Sequence, residues 1–171
     1  MSKIIATFFY VGHLKPAPGT WGSLAALLVA QPALSGLQPF WLIIMASIAF
    51  GAGLWATARE TGPHDHDPSH IVIDEAAGQW VALVPLAYIL HTYGHAPFVQ
   101  FYGSILAFGF FRLFDILKPW PVSWADRRED ALGVMLDDIL AGVMAAFMAW
   151  ALSFGAVYVL THNVDFSGLS F

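Results

Sequence analysis

No cysteine occurs in the 171 residues, which excludes disulfides and thiolate zinc sites and removes thiol chemistry as a guide to compartment. Charge is scarce as well: 11% of the residues are Asp, Glu, Lys or Arg, against about 25% in a soluble domain. Seven basic residues facing twelve acidic ones leave no basic patch, so a nucleic-acid partner is not expected. Low-complexity segments and recognisable repeats are also missing, and residues 1–171 read as one domain. The first ten residues make a poor signal peptide, because their apolar run is short and no small-residue cleavage site follows.

Apolar side chains fill the space that charge leaves. Hydrophobic residues make up 58% of the chain, with fourteen Phe and seven Trp, and the mean hydropathy is +0.65. This is the composition of a membrane protein. Five apolar segments stand out, at about residues 22–34, 40–58, 76–90, 98–117 and 139–160. The second, fourth and fifth reach the length of about 20 residues that spanning requires. The first is short and contains Pro32, and the third contains Pro85, so both are marginal.

The distribution of basic residues decides the marginal cases. With five crossings, Lys3, Lys15, Arg59, Arg112, Lys118, Arg127 and Arg128 all gather at one side. If the first segment does not cross, they split between the two sides. The expected fold is therefore all-α: a multi-span, compact helical bundle of about five apolar helices plus short N-terminal and loop helices. Its N-terminus faces the cytoplasm.

That topology carries polar chemistry to one depth. Pro18-Gly19-Thr20-Trp21-Gly22-Ser23 opens the first segment, Asp74-Glu75 the third and Asp137-Asp138 the fifth, while Arg112, Asp115 and Lys118 close the fourth. Helical steps of three turn by about 60°, so these last three share a face. Ionisable groups at membrane depth cost roughly 2.5–3.5 kcal/mol each and usually mark a site. The plainer alternative is a structural Arg112–Asp115 pair with Lys118 reaching to the surface.

Each of the other motifs also has two readings. Thr20 or Ser23 can cap a helix, or the same turn can receive a phosphate on free amides. Asp74-Glu75 and Asp137-Asp138 suit helix N-termini through the dipole. Yet four carboxylates plus Asp115 at one depth repel one another unless cations neutralise them. Arg112 and Lys118 supply part of that charge, and a divalent ion held by oxygen ligands, Mg²⁺ before Mn²⁺, supplies the rest. His64-Asp65-His66-Asp67, with His70 nearby, could ligate a transition metal, although solvated side chains are commoner in such a Pro-flanked loop. A P-loop spacing is absent. Carboxylates for a hard cation beside an arginine and a lysine for an oxyanion make a phosphoryl-transfer kit. At a bilayer interface, its natural substrate is a lipid phosphate.

These motifs together resemble the bacterial phosphatidylglycerophosphatase A family. The resemblance runs from about residue 15 to residue 142. It rests on Pro18-Gly19-Thr20-Trp21-Gly22-Ser23, on Asp67-Pro68 leading into Ile71-Val72-Ile73-Asp74-Glu75 and Gly78-Gln79, on Phe111-Arg112-Leu113-Phe114-Asp115-Ile116-Leu117-Lys118-Pro119, and on Asp137-Asp138-Ile139-Leu140-Ala141-Gly142. It implies an all-helical Mg²⁺-dependent phosphatase at the cytoplasmic face of the inner membrane, which converts phosphatidylglycerophosphate to phosphatidylglycerol. Carried onto this chain, it implies Asp74, Glu75, Asp115 and Asp138 as catalytic residues. Asp74, Glu75, Asp137 and Asp138 are the implied metal ligands, and Arg112, Lys118, Thr20 and Ser23 the implied phosphate contacts. The alternative function is a small transporter of ions or solutes, but that needs polar groups along the whole bilayer depth rather than at one end. Nothing in the sequence sets an oligomeric state.

Overall fold

The computed structural model describes residues 1–36, 38–61, 68–94 and 96–163, with side chains as far as Leu152. The helices are α1 (Ser2–Ala6), α2 (Pro18–Ser35), α3 (Phe40–Glu60), α4 (Ile73–Tyr93), α5 (Pro97–Leu117), α6 (Val122–Asp126) and α7 (Ala131–Asn163), with a 3-10 turn at Val11–His13. No strand occurs among the described residues. Pro18 and Pro97 open their helices in the first turn, where a missing N–H has no intrahelical partner to lose. α5 stops because Lys118 adopts a left-handed conformation (φ 44°), its N–H returns to the Phe114 carbonyl at 2.9 Å, and a proline follows. Pro32 and Pro85 lie inside α2 and α4 without ending them. Packed membrane helices tolerate the lost backbone bond.

α7 begins at Ala131, earlier than the apolar pattern places the fifth segment. Asp137 and Asp138 therefore sit in its second turn, where the dipole of a helix N-terminus does not account for them. The stretch between the fourth and fifth apolar segments contains the short helix α6 and the start of α7.

Three helices, Phe40–Glu60, Pro97–Leu117 and Ala131–Leu152, are long and apolar enough to cross a membrane. α2 and α4 pack against these helices without belonging to that group. α4 is the reason the bundle can carry polar groups. It packs against α2, α3, α5 and α7, and shielding by protein rather than lipid lets it hold Asp74, Glu75 and Gln79.

Contacts at the bundle ends fix helix direction. At one end, the Ser2 hydroxyl donates to Glu60 Oε1 at 2.7 Å and the Val72 N–H to the Ala6 carbonyl at 2.9 Å. The rings of His13 and His70 stack there, 5.7 Å apart. At the other end, Gln100 Nε2 donates to Gln31 Oε1 at 2.8 Å, tying the start of α5 to the end of α2. Consecutive long helices thus alternate in direction. Exposed Trp120 and Trp124 mark the first end, and Phe40, Trp41, Tyr93 and Phe98 the second, in the manner of interfacial aromatic belts. An apolar groove of about 830 Å³ between α3, α4 and α7, lined by residues such as Phe50, Val84 and Val143, lies on a different face of α7 from Asp138.

Candidate active site

The site begins where α4 crosses α7. A Cβ added to Gly142 would overlap the Gly78 backbone, and one added to Gly78 would overlap the Asp138 carbonyl and the Phe111 ring. Bare backbone on both helices sets Asp138 against the first turn of α4. Asp74, Glu75 and Asp138 each offer a carboxylate oxygen, all within 4.8 Å of one another. Asp74 and Asp138 are buried and Glu75 is partly so. In both acidic pairs the first residue is pinned by the second: Asp74 Oδ1 accepts the Glu75 N–H at 2.9 Å, and Asp137 Oδ1 accepts the Asp138 N–H at 2.9 Å. Glu75 Oε2 and Asp138 Oδ1 are buried without a hydrogen-bond partner.

α5 brings the counter-charge. Arg112 Nη1 lies 2.5 Å from Asp115 Oδ2, one helical turn along. Asp115 is in turn within electrostatic reach of Glu75, Asp137 and Asp138. The Arg112 Nε is buried and has no partner. All five carboxylates and the arginine expected to converge do so.

The first turn of α2 closes the site. A Cβ on Gly19 would overlap Glu75 Oε1 and lie 3.2 Å from Arg112 Nη1, so a glycine there lets backbone meet both charged groups. Thr20 is half-buried in the same turn. Ser23 is fully buried, and its hydroxyl donates to the Gly19 carbonyl at 2.8 Å. Its proton therefore holds Gly19 in place.

Lys118 sits just past the end of α5. Its Nζ pairs with Asp126 and donates to Asp137 Oδ2 at 2.9 Å. Partial burial works against its charge, but Asp126 and Asp137 outweigh that and hold its pKa above the ordinary lysine value. Lys118 thus ties the end of α6 to α7 and neutralises Asp137. Asp126, an exposed acid in a charged stretch, gave no sequence signal of this partnership. Gln79 belongs to one of the motifs that carry the resemblance, but no role for it was legible in the sequence. It is 0% exposed, and neither atom of its amide has a partner. Burying an amide in that state costs roughly 2–7 kcal/mol. The His64-Asp65-His66-Asp67 motif lies outside the described residues, while His70 stacks on His13.

Buried oxygen ligands with free lone pairs fit a hard divalent cation, and an arginine with unused N–H groups fits a phosphate. The polar groups gather at one end of the bundle, as an interfacial enzyme requires and a transport path does not.

Comparison with known proteins points the same way. Residues 4–153 match the family model described as phosphatidylglycerophosphatase A. The phosphatidylglycerophosphatase A of Haemophilus influenzae is 34% identical over 155 residues, covering 88% of each chain. That of Escherichia coli is 33% identical over 174 residues, covering 94% of this chain and 83% of the relative. A Bacteroides thetaiotaomicron protein, provisionally named a phosphatidylinositol-3-phosphatase, is 35% identical over 145 residues, or 82% and 86% of the two chains. No solved structure matches. A family match over most of the length, carried by relatives that are phosphoric monoester hydrolases, places this chain in the phosphatidylglycerophosphatase A family.

Proposed function

We propose that this protein hydrolyses the terminal phosphomonoester of phosphatidylglycerophosphate, giving phosphatidylglycerol and phosphate, in a Mg²⁺-dependent reaction. The observation that carries the reading is the buried cluster of Asp74, Glu75 and Asp138 beside Arg112 at one end of a membrane bundle. Asp74, Glu75 and Asp138 would hold the cation, with Asp137 as a further carboxylate beside them. When bound, Mg²⁺ supplies charge that polarises the phosphoryl oxygens and acidifies water.

The chain's own residues do the rest. Arg112 presents N–H donors to the phosphoryl oxygens, and Asp115 fixes the direction of the guanidinium. The first turn of α2, with Thr20 and the Gly19 backbone, borders the phosphate from the other side. A carboxylate of the cluster accepts the proton of the attacking water. Lys118 screens Asp137 and so lowers the repulsion that a phosphate dianion meets on entry. The lipid tails stay in the bilayer beside the bundle. The basic residues gathered at the site end support an inner-membrane placement with the site facing the cytoplasm.

The test is phosphate release from phosphatidylglycerophosphate by purified protein, with EDTA and then with Mg²⁺ restored. Turnover should vanish on chelation and return with the metal. Full activity in EDTA would remove the metal, and no release under any condition would remove the substrate.

A further inference from the structure

Both oxygens of Asp137 are occupied. Oδ1 accepts the Asp138 N–H at 2.9 Å, and Oδ2 accepts from Lys118 Nζ at 2.9 Å. Asp137 is also not one of the three carboxylates whose oxygens lie within 4.8 Å of one another. Glu75 Oε2 and Asp138 Oδ1, by contrast, are buried without a hydrogen-bond partner. Lys118 pairs in addition with Asp126, the last residue of α6. A chain of contacts therefore runs from Asp126 through Lys118 and Asp137 to the backbone of Asp138. α6 has other means of keeping its place. Val122 and Ala125 are fully buried, Val122 in the same apolar cluster as Phe111 and Ala141. Asp126 itself is exposed, with 41% of its side chain open to solvent, and a pair so wet adds little to stability. Carboxylates that bind metals are oriented by partners that do not touch the metal. Removing such a partner typically costs about 10- to 100-fold in affinity or activity.

We propose that Asp126 is a positioning residue of the phosphatase: by holding Lys118 on Asp137 it fixes the Asp138 peptide, and with it the carboxylate that Asp138 offers beside Asp74 and Glu75. The inference rests on the phosphatase reading above and adds a residue that touches neither substrate nor cation. A lysine ammonium is a compact charge on a flexible four-carbon stem. Two carboxylates anchor it at two points and keep it on Asp137 Oδ2. Without Asp126 one anchor is left, and the ammonium competes with the cation for the carboxylates next to Asp137.

Asp126→Asn removes the charge and keeps the size. Thermal melts across a Mg²⁺ titration read cation binding without turnover. The midpoint of the Mg²⁺-dependent rise in Tm should move about tenfold higher in Asp126→Asn, with the metal-free Tm near the wild-type value. At a fixed low Mg²⁺ concentration kcat should fall, while KM for the lipid stays near wild type. Asp126→Glu, whose longer side chain keeps a carboxylate within reach of Lys118, should restore midpoint and kcat. In a Lys118→Met background, Asp126→Asn should lower neither further, because its action runs through Lys118. A wild-type midpoint in Asp126→Asn overturns the proposal. A fall in metal-free Tm that accompanies the weaker binding overturns it too, since that marks a structural tie. Failure of Asp126→Glu to restore binding, or a further loss in the Lys118→Met background, has the same force. Wild-type protein is the control for the reading beneath: if its Tm ignores Mg²⁺ or it releases no phosphate, the proposed function fails and takes this inference with it.

Discussion

Gly142 and Gly78 bring the backbones of α7 and α4 into direct contact, and that contact sets how close Asp138 comes to Asp74 and Glu75. Gly142→Ala should separate the helices, because the new methyl meets backbone rather than a flexible side chain. The expected loss is about 1–3 kcal/mol from overpacking, with a larger proportional fall in turnover than in stability. Gly51→Ala, on α3 with nothing within 4 Å of the new methyl, is the control. It should stabilise by roughly 0.5–1 kcal/mol. Thermal melts and phosphate release on both variants check the contrast. A Gly142→Ala protein with normal turnover would show that the crossing distance is not critical.

Asp115 separates site from scaffold. If it only pairs with Arg112, Asp115→Asn should destabilise by about 3–5 kcal/mol, as when a buried pair loses one member. The double variant Arg112→Met/Asp115→Asn should then recover both folding and activity. The proximity of Asp115 to Glu75, Asp137 and Asp138 predicts otherwise, since removing one negative charge offsets the broken pair. Asp115→Asn should keep a near-normal Tm and lose about a hundredfold or more in kcat. The double variant should be no better than the worse single one. Recovery of turnover in the double variant would remove Asp115 from the site.

Lys118 gives a pH-dependent expectation at the membrane boundary. Asp126 and Asp137 hold its folded pKa above the unfolded value of 10.5, so its stabilisation is fully present below that value. It fades as the pH rises through the folded pKa. The Tm difference between wild type and Lys118→Met should therefore be constant from neutral to mildly alkaline pH, and shrink only above the ordinary lysine range. A difference that collapses near neutral pH would show that the ion pair is not its source.

Orientation can be read with single thiols, because the chain has no cysteine of its own. Ser69 and Thr92 are both exposed, at opposite ends of α4. An impermeant thiol reagent applied to intact cells should label Thr92→Cys and leave Ser69→Cys untouched. Labelling at position 69 from outside would invert the proposed orientation.

Much of this was legible in the chain itself. Sparse charge and long apolar runs dictate membrane helices, since a bilayer offers no other partner for backbone N–H and C=O groups. The one-sided basic residues gave the expectation of five alternating segments. The spacing of Arg112 and Asp115 predicted a shared face because helical rotation per residue is fixed. What the tertiary structure decided lies in relations between helices, where local periodicity carries no information. Three-dimensional packing turned Lys118 toward Asp126 and Asp137. It started α7 early enough to move Asp137 and Asp138 away from a helix N-terminus. It also enclosed Gln79 beneath Glu75 with its amide unpartnered, because a residue's burial depends on which neighbours fold against it, and those neighbours come from elsewhere in the chain.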